Sequence, residues 1–183
     1  MVIRTAACAL AILGCATAAP APPAGSSAVP AGAFAWRTLR AEHRVVLAAH
    51  DREGRPVVRK LHGLMLARRP DRFRVRALGP GDVTLFDLVA GAGGRCRLLE
   101  AARPPPEDIV RAVCEDLRWA YRLAPPSGGE APEIRYADWQ TVGREPVPMT
   151  IWLQNRARGY TVLIKAVRVE LDVSVDDDAL PAP

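Results

Sequence analysis

RFRVRAL (Arg72–Leu78), GPGD (Gly79–Asp82) and VTLFDLVA (Val83–Ala90) together decide the fold. In the first segment Phe73, Val75 and Ala77 alternate with Arg72, Arg74 and Arg76, the period of a strand with one apolar and one charged face. Gly79-Pro80-Gly81-Asp82 holds the residues of a tight turn. VTLFDLVA resumes a strand, apolar on both faces. Strands joined by so short a turn run antiparallel, because parallel neighbours need a crossover of about a dozen residues or more.

The same period continues outward. HRVVLAAH (His43–His50) turns at Asp51–Gly54 into RPVVRKLHGLMLA (Arg55–Ala67), which turns at Arg68–Asp71. Gly91–Gly94 forms a hairpin loop before Arg95–Glu100, and Glu133–Gln140, Pro148–Asn155 and Gly159–Val175 are three later strands. Pro104–Arg122 changes to a helical period. Val110, Cys114, Leu117 and Tyr121 make its apolar face, Arg111, Glu115, Arg118 and Arg122 another, and Glu107 and Asp108 suit the positive end of its dipole. Glu107, Asp108, Glu115 and Asp116 read as helix surface. The expected fold is mainly β (α+β): a curved antiparallel sheet or half-barrel of about eight or more strands, with one main helix on its concave side. Strands apolar on both faces imply either two covered faces or an apolar cavity. Leu47, Met65, Val75, Leu85, Phe86, Leu88, Trp152 and Leu163 are its expected lining, with either strand face possible.

The N-terminus has a different character. Arg4 precedes a short apolar run, Ala6–Gly14, too short to span a bilayer of roughly 30 Å and laid out as an export signal. Its end, Ile12-Leu13-Gly14-Cys15, resembles the bacterial lipobox, in which cleavage precedes an acylated cysteine. The alternatives are a buried N-terminal helix or a signal cleaved after Ala19. Ala16 is not the aspartate that holds enteric lipoproteins in the inner membrane, so the resemblance implies the outer membrane. The Ala/Pro-rich Ala16–Ala33 is uncharged and reads as a tether reaching roughly 56 Å. The expected organisation is signal 1–14, lipidated Cys15 and tether 15–33, domain 34–175, and an acidic, proline-ending tail 176–183.

Composition removes several classes of function. The 183 residues are 49% apolar and 25% charged with net charge +5, enough for one core and too few for a multidomain enzyme. None of the four serines, Ser26, Ser27, Ser127 and Ser174, lies in a nucleophile motif. His43 and His62 would face each other if the first hairpin turns at Asp51–Gly54, but a metal site needs a third ligand. No catalytic residue, metal or cofactor is expected. Only Lys60 and Lys165 among 25 basic residues are lysine. Arg68, Arg69, Arg72, Arg74 and Arg76 form a basic stripe, read as a solvated face or one attracted to anionic lipid or an acidic carrier. Nucleic acid does not fit an exported, tethered chain. With Cys8 in the signal and Cys15 lipidated, Cys96 and Cys114 remain. In an oxidising compartment they tend to bond, the alternative being two buried thiols.

Lipobox, tether, five strands, helix and three strands resemble the LolA/LolB superfamily over Arg40–Val175. Asp71–Leu88 is similar to the third strand, proline-containing turn and fourth strand of its LolB branch. Ile134–Trp139 and Met149–Asn155 match the later strands more loosely. The resemblance implies a half-barrel binding acyl chains of lipoproteins in transit, with a periplasmic LolA-like carrier as partner and a place on the periplasmic face of the outer membrane. One departure stands out: where LolB exposes a leucine after the proline, this chain has Gly81, so no apolar tip is expected. The alternative function is a structural or interaction lipoprotein with a filled core.

Overall fold

The computed structural model describes residues 19–51, 53–91, 95–102, 104–123 and 131–181. The signal, Cys15, most of the Gly91–Gly94 loop and the Ser127–Gly129 loop lie outside the described residues.

The chain builds β1 (Thr38–His50), β2 (Pro56–Arg68), β3 (Arg72–Leu78), β4 (Thr84–Ala90) and β5 (Cys96–Ala101), then α1 (Glu107–Ala120), then β6 (Glu133–Val142), β7 (Glu145–Asn155) and β8 (Tyr160–Leu171). All eight strands form one open antiparallel sheet in the order β5-β4-β3-β2-β1-β8-β7-β6. β8 returns to pair with β1, so the first five strands and the last three become one surface. Pro146 and Pro148 are tolerated in β7 because β8 pairs only with Thr150–Asn155. The prolines therefore sit where β7 has a single neighbour, and their missing N–H groups break no second ladder.

Register assigns the faces. Leu39, Ala41, His43 and Val45 of β1 lie opposite Ala67, Met65, Gly63 and Leu61 of β2. Ala67, Met65 and Gly63 lie opposite Phe73, Val75 and Ala77 of β3, so the apolar alternation of β3 faces the helix side. The core gathers there, with Trp36, Leu39, Met65, Phe73, Leu88, Cys114, Tyr121, Ile151 and Leu153 buried together.

Four expectations are corrected. First, the β1–β2 loop is Asp51–Arg55, closed by the Asp51 N–H on the Arg55 carbonyl at 2.9 Å, one residue longer than expected. His43 therefore faces Gly63 and His62 faces Arg44, which puts the two histidines on opposite sides of the sheet. Second, the tether is docked: Val29 and Ala33 pack on the core, and the Pro20 carbonyl accepts a hydrogen bond from Trp152 Nε1 at 2.9 Å. Third, the C-terminal tail is not wholly solvated. It leaves β8, crosses the face opposite α1, and buries Leu180 completely (0% exposed). Fourth, Asp116 is buried rather than on the helix surface, as is Arg118 of the charged helix face read from the sequence.

Candidate functional site

The candidate site is the concave face beneath α1. The helix starts after Pro106, with Glu107 and Asp108 in its first turn, and its polar contacts tie it to both halves of the sheet. Cys96 of β5 is disulfide-bonded to Cys114, the Cα atoms 6.5 Å apart. Arg118 donates to the Gly91 carbonyl at 2.7 Å and stacks 5.7 Å from the Phe73 ring, while its Nε has no partner. On the other half, Asp116 accepts from Asn155 Nδ2 at 3.1 Å and from the Tyr160 hydroxyl, with Arg158 3.7 Å away. Burial pushes the Asp116 carboxyl up, and the Tyr160 and Asn155 hydrogen bonds pull against it.

At the C-terminal end the Tyr121 hydroxyl and His43 Nε2 share a 2.7 Å hydrogen bond, and Tyr136 donates to the Ala120 carbonyl at 3.0 Å. Phe34 and Trp36, following the tether, cover the rest. Arg69 stacks 4.8 Å from the Trp36 ring, and Phe34 meets Tyr136 edge-on at 5.3 Å. What remains between this strap, Tyr121, β1, β7 and β8 is an apolar space of about 10 Å³, about the size of one water.

His43 is pushed down to about 4 by burial, with His62 adding to the effect. Its folded value lies below the ordinary 6.5, so the unfolded chain takes up the proton first on acidification. Stability is full above pH 6.5 and falls between 6.5 and about 4, by about 3 kcal/mol. His43→Gln keeps a polar partner for Tyr121 and removes this titration. The gap in unfolding free energy between the two proteins should therefore narrow by that amount across this interval in urea titrations. A constant gap would refute the assignment.

The residues expected to line a cavity do not come together. Leu47, Met65, Val75, Phe86 and Leu88 are on the α1 side, where Met65 and Leu88 are core and Val75 and Phe86 pack against it. Trp152 and Leu163 are opposite one another on the far face, and Leu85 falls at a register shift between β3 and β4, against Gly79. The open cavity is instead filled by Phe34, Trp36, Tyr121 and α1. Phe34 and Trp36 stand out only as the first aromatics after the tether, and Tyr121–His43 joins positions no local pattern pairs.

The basic stripe is also mostly spent internally. Arg74 and Arg76 bind Asp87, with Arg74 Nη2 at 2.8 Å and Arg76 Nη2 at 2.7 Å. Arg68, Arg72 and Arg74 donate to the tail carbonyls of Val175, Leu180 and Ala179. Arg69 turns to Trp36. In the turn after β3, Val83 stands outside β4 and is 55% exposed, so the loop does carry an apolar tip. Among the described residues no group of three His, Cys, Asp or Glu is placed to hold a metal, and no helix is long and apolar enough to cross a membrane.

These features define an open antiparallel half-barrel with a helix plugging its concave side. The fold is LolA/LolB-like. Among solved structures it is similar to a LolA superfamily protein from Nitrosomonas europaea, with TM-score 0.50 and 8% identity over 82% of this chain and 93% of that one. A domain named for outer membrane lipoprotein sorting from Vibrio parahaemolyticus overlaps at TM-score 0.42 and 8% identity, over 78% and 88% of the two chains. A DUF1329 family protein from Desulfovibrio piger overlaps at TM-score 0.41 and 9% identity, over 78% and 88%. No family model matches the sequence, and no curated relative does.

Proposed function

We propose that this is an envelope lipoprotein, held by acylated Cys15 on the periplasmic face of the outer membrane. In this reading it binds the acyl chain of a lipoprotein in transit between α1 and the concave face, receiving it from a LolA-like carrier. The observation that supports this is the composition of the cover. The concave face is an apolar sheet roofed by one 14-residue helix and a short strap, and the helix is clipped to β5 by the Cys96–Cys114 disulfide and otherwise held through polar groups. Buried Arg118 Nε and Arg69 Nε lack partners, so the closed arrangement leaves polar cost unrelieved and a displaced cover regains solvation. An apolar chain entering beneath the helix would replace the packing that the cover supplies. No covalent chemistry is involved.

The filled space of about 10 Å³ favours the second reading, a structural lipoprotein with no ligand. Titration of the full chain carrying Cys15→Ala with the fluorescent fatty acid parinaric acid separates the two. Saturable binding at micromolar concentration supports the carrier. Absence of binding, also in Trp36→Ala, leaves the filled-core protein. In cells, Cys15→Ala should release the chain from membranes, and retention would refute acylation.

A further inference from the structure

Two rows of side chains cross the face of the sheet that turns away from α1. Lys60, Val46, Leu163 and Trp152 lie directly opposite one another on β2, β1, β8 and β7, and His62, Arg44, Lys165 and Thr150 do the same one step along. The chain's two lysines thus meet at one place, flanking Arg44. All three cations are exposed and, among the described residues, have no ion-pair or hydrogen-bond partner. Their acidic neighbours are engaged: Glu42 with His62, and Glu170 with Arg40 and Arg168. Arg44 and Lys165 stand directly across from each other, a like-charge pair that disfavours the sheet unless an anion meets it. Between the cations runs an open apolar groove of about 670 Å³, with Val46, Leu163, Leu78 and Val167 in its lining.

The position of Pro20 relates this groove to the anchor. Trp152, at the end of the first row, holds the Pro20 carbonyl at 2.9 Å. Pro20, and Ala19 before it against Gln154 and Thr161, therefore lie on this same face. Four residues separate Cys15 from Pro20, so five Cα–Cα steps reach at most about 18 Å. The Pro20–Ala33 segment adds nothing to that reach, because it returns along the domain to the core.

We infer that the end of this face that holds the groove, away from the end the tail crosses at Arg68 and Arg72, docks on the anionic headgroup surface of the bilayer that carries the anchor. Arg44, Lys60 and Lys165 meet lipid phosphates, and Val46, Leu163 and Val167 rest on the headgroup layer. The opposite side, with α1 and the strap, then points away from the membrane, towards any soluble carrier. The orientation rests on the acylation of Cys15 proposed above, whereas the affinity for anionic lipid does not.

Two measurements separate these parts. Full chain carrying Cys15→Ala is sedimented with phosphatidylcholine vesicles with and without phosphatidylglycerol, at low ionic strength. Each cation near such a surface contributes about fivefold in affinity, so Arg44→Gln/Lys60→Gln/Lys165→Gln should bind the anionic vesicles about a hundredfold more weakly. Arg95→Gln/Arg111→Gln/Arg144→Gln, which removes as much exposed charge elsewhere, should bind as the parent does. Equal binding by all three proteins, equal loss in both triple variants, or no preference of the parent for phosphatidylglycerol overturns the docking face.

For the orientation, Arg111→Lys adds a reporter on α1, and an amine-acylating reagent is applied to the anchored chain and to its Cys15→Ala form, with mass spectrometry as readout. Lys60 and Lys165 should be protected only in the anchored chain, and Lys at 111 in neither. Equal labelling of all three lysines in the anchored chain would refute the orientation. Membrane retention of Cys15→Ala would instead overturn the acylation, leaving the vesicle result standing.

Discussion

Methionine at both Arg74 and Arg76 is expected to lower the stability of the fold by about 3–5 kcal/mol at neutral pH. The two guanidiniums hold Asp87, whose side chain is 1% exposed, through four charge-assisted hydrogen bonds of 2.7–2.9 Å. Methionine replaces their volume but leaves the carboxylate buried and alone. The loss should fall towards the lower end, because the Arg76 side chain is itself 41% exposed and its pair is partly screened.

The sign of the pH dependence makes the test sharp. Burial pushes Asp87 up, and hydrogen bonds from Arg74 and Arg76 more than reverse this, so its folded value lies below the ordinary one. The native pair therefore stabilises the fold above the ordinary carboxylate range and loses that contribution as pH falls through the lowered folded value. In the double variant only burial remains, and the carboxyl titrates above its ordinary value. Its penalty is then full at neutral pH and vanishes on acidification. Urea unfolding should show the two proteins converging as pH falls through the carboxylate range. A gap independent of pH would mean that the arginines act through packing or through the tail carbonyls alone.

Trp36→Ala should cost a similar 3–5 kcal/mol, the range for deleting a fully buried large aromatic. Trp36 is 1% exposed, lines the residual space beneath the cover, and supports the Arg69 guanidinium. For a domain of this size the loss corresponds to about 10 °C in midpoint. The same change enlarges an apolar space walled by Leu39, Ile151 and Ile164. Such cavities stay dry and take apolar guests. Stability and parinaric acid affinity should therefore move in opposite directions, the variant unfolding earlier and binding more tightly. A variant that unfolds earlier with unaltered probe binding would place any ligand elsewhere.

The arginine excess acquires a structural meaning from these contacts. Arg68, Arg69, Arg72 and Arg118 donate to backbone carbonyls, and Arg69, Arg118, Arg122 and Arg135 stack on aromatic rings. A planar, permanently charged fork does both, and lysine does neither as well. The arginines near the tail and strap act as staples, and the two lysines remain exposed at the end of the far face that the tail does not reach.

By itself the sequence determined a mainly β fold of about eight or more antiparallel strands with one main helix, because strand and helix periods and turn chemistry act over a few residues. It also settled the division of β3 into an apolar side, Phe73, Val75 and Ala77, and a charged side. The relation between strands escaped it: one extra residue at Arg55 shifted the β1–β2 register and parted His43 from His62. Tertiary structure alone decided what covers each face. Trp152 meets Pro20 132 residues away, Arg72 meets Leu180 across 108, and His43 meets Tyr121 across 78. Such contacts leave no local period, because they depend on where a finished sheet presents its surfaces. The expected cavity was accordingly filled by Phe34 and Trp36, with Val29 and Ala33 of the segment that reads as a tether packed behind them. The expected basic stripe was occupied by a C-terminal segment that reads as solvated.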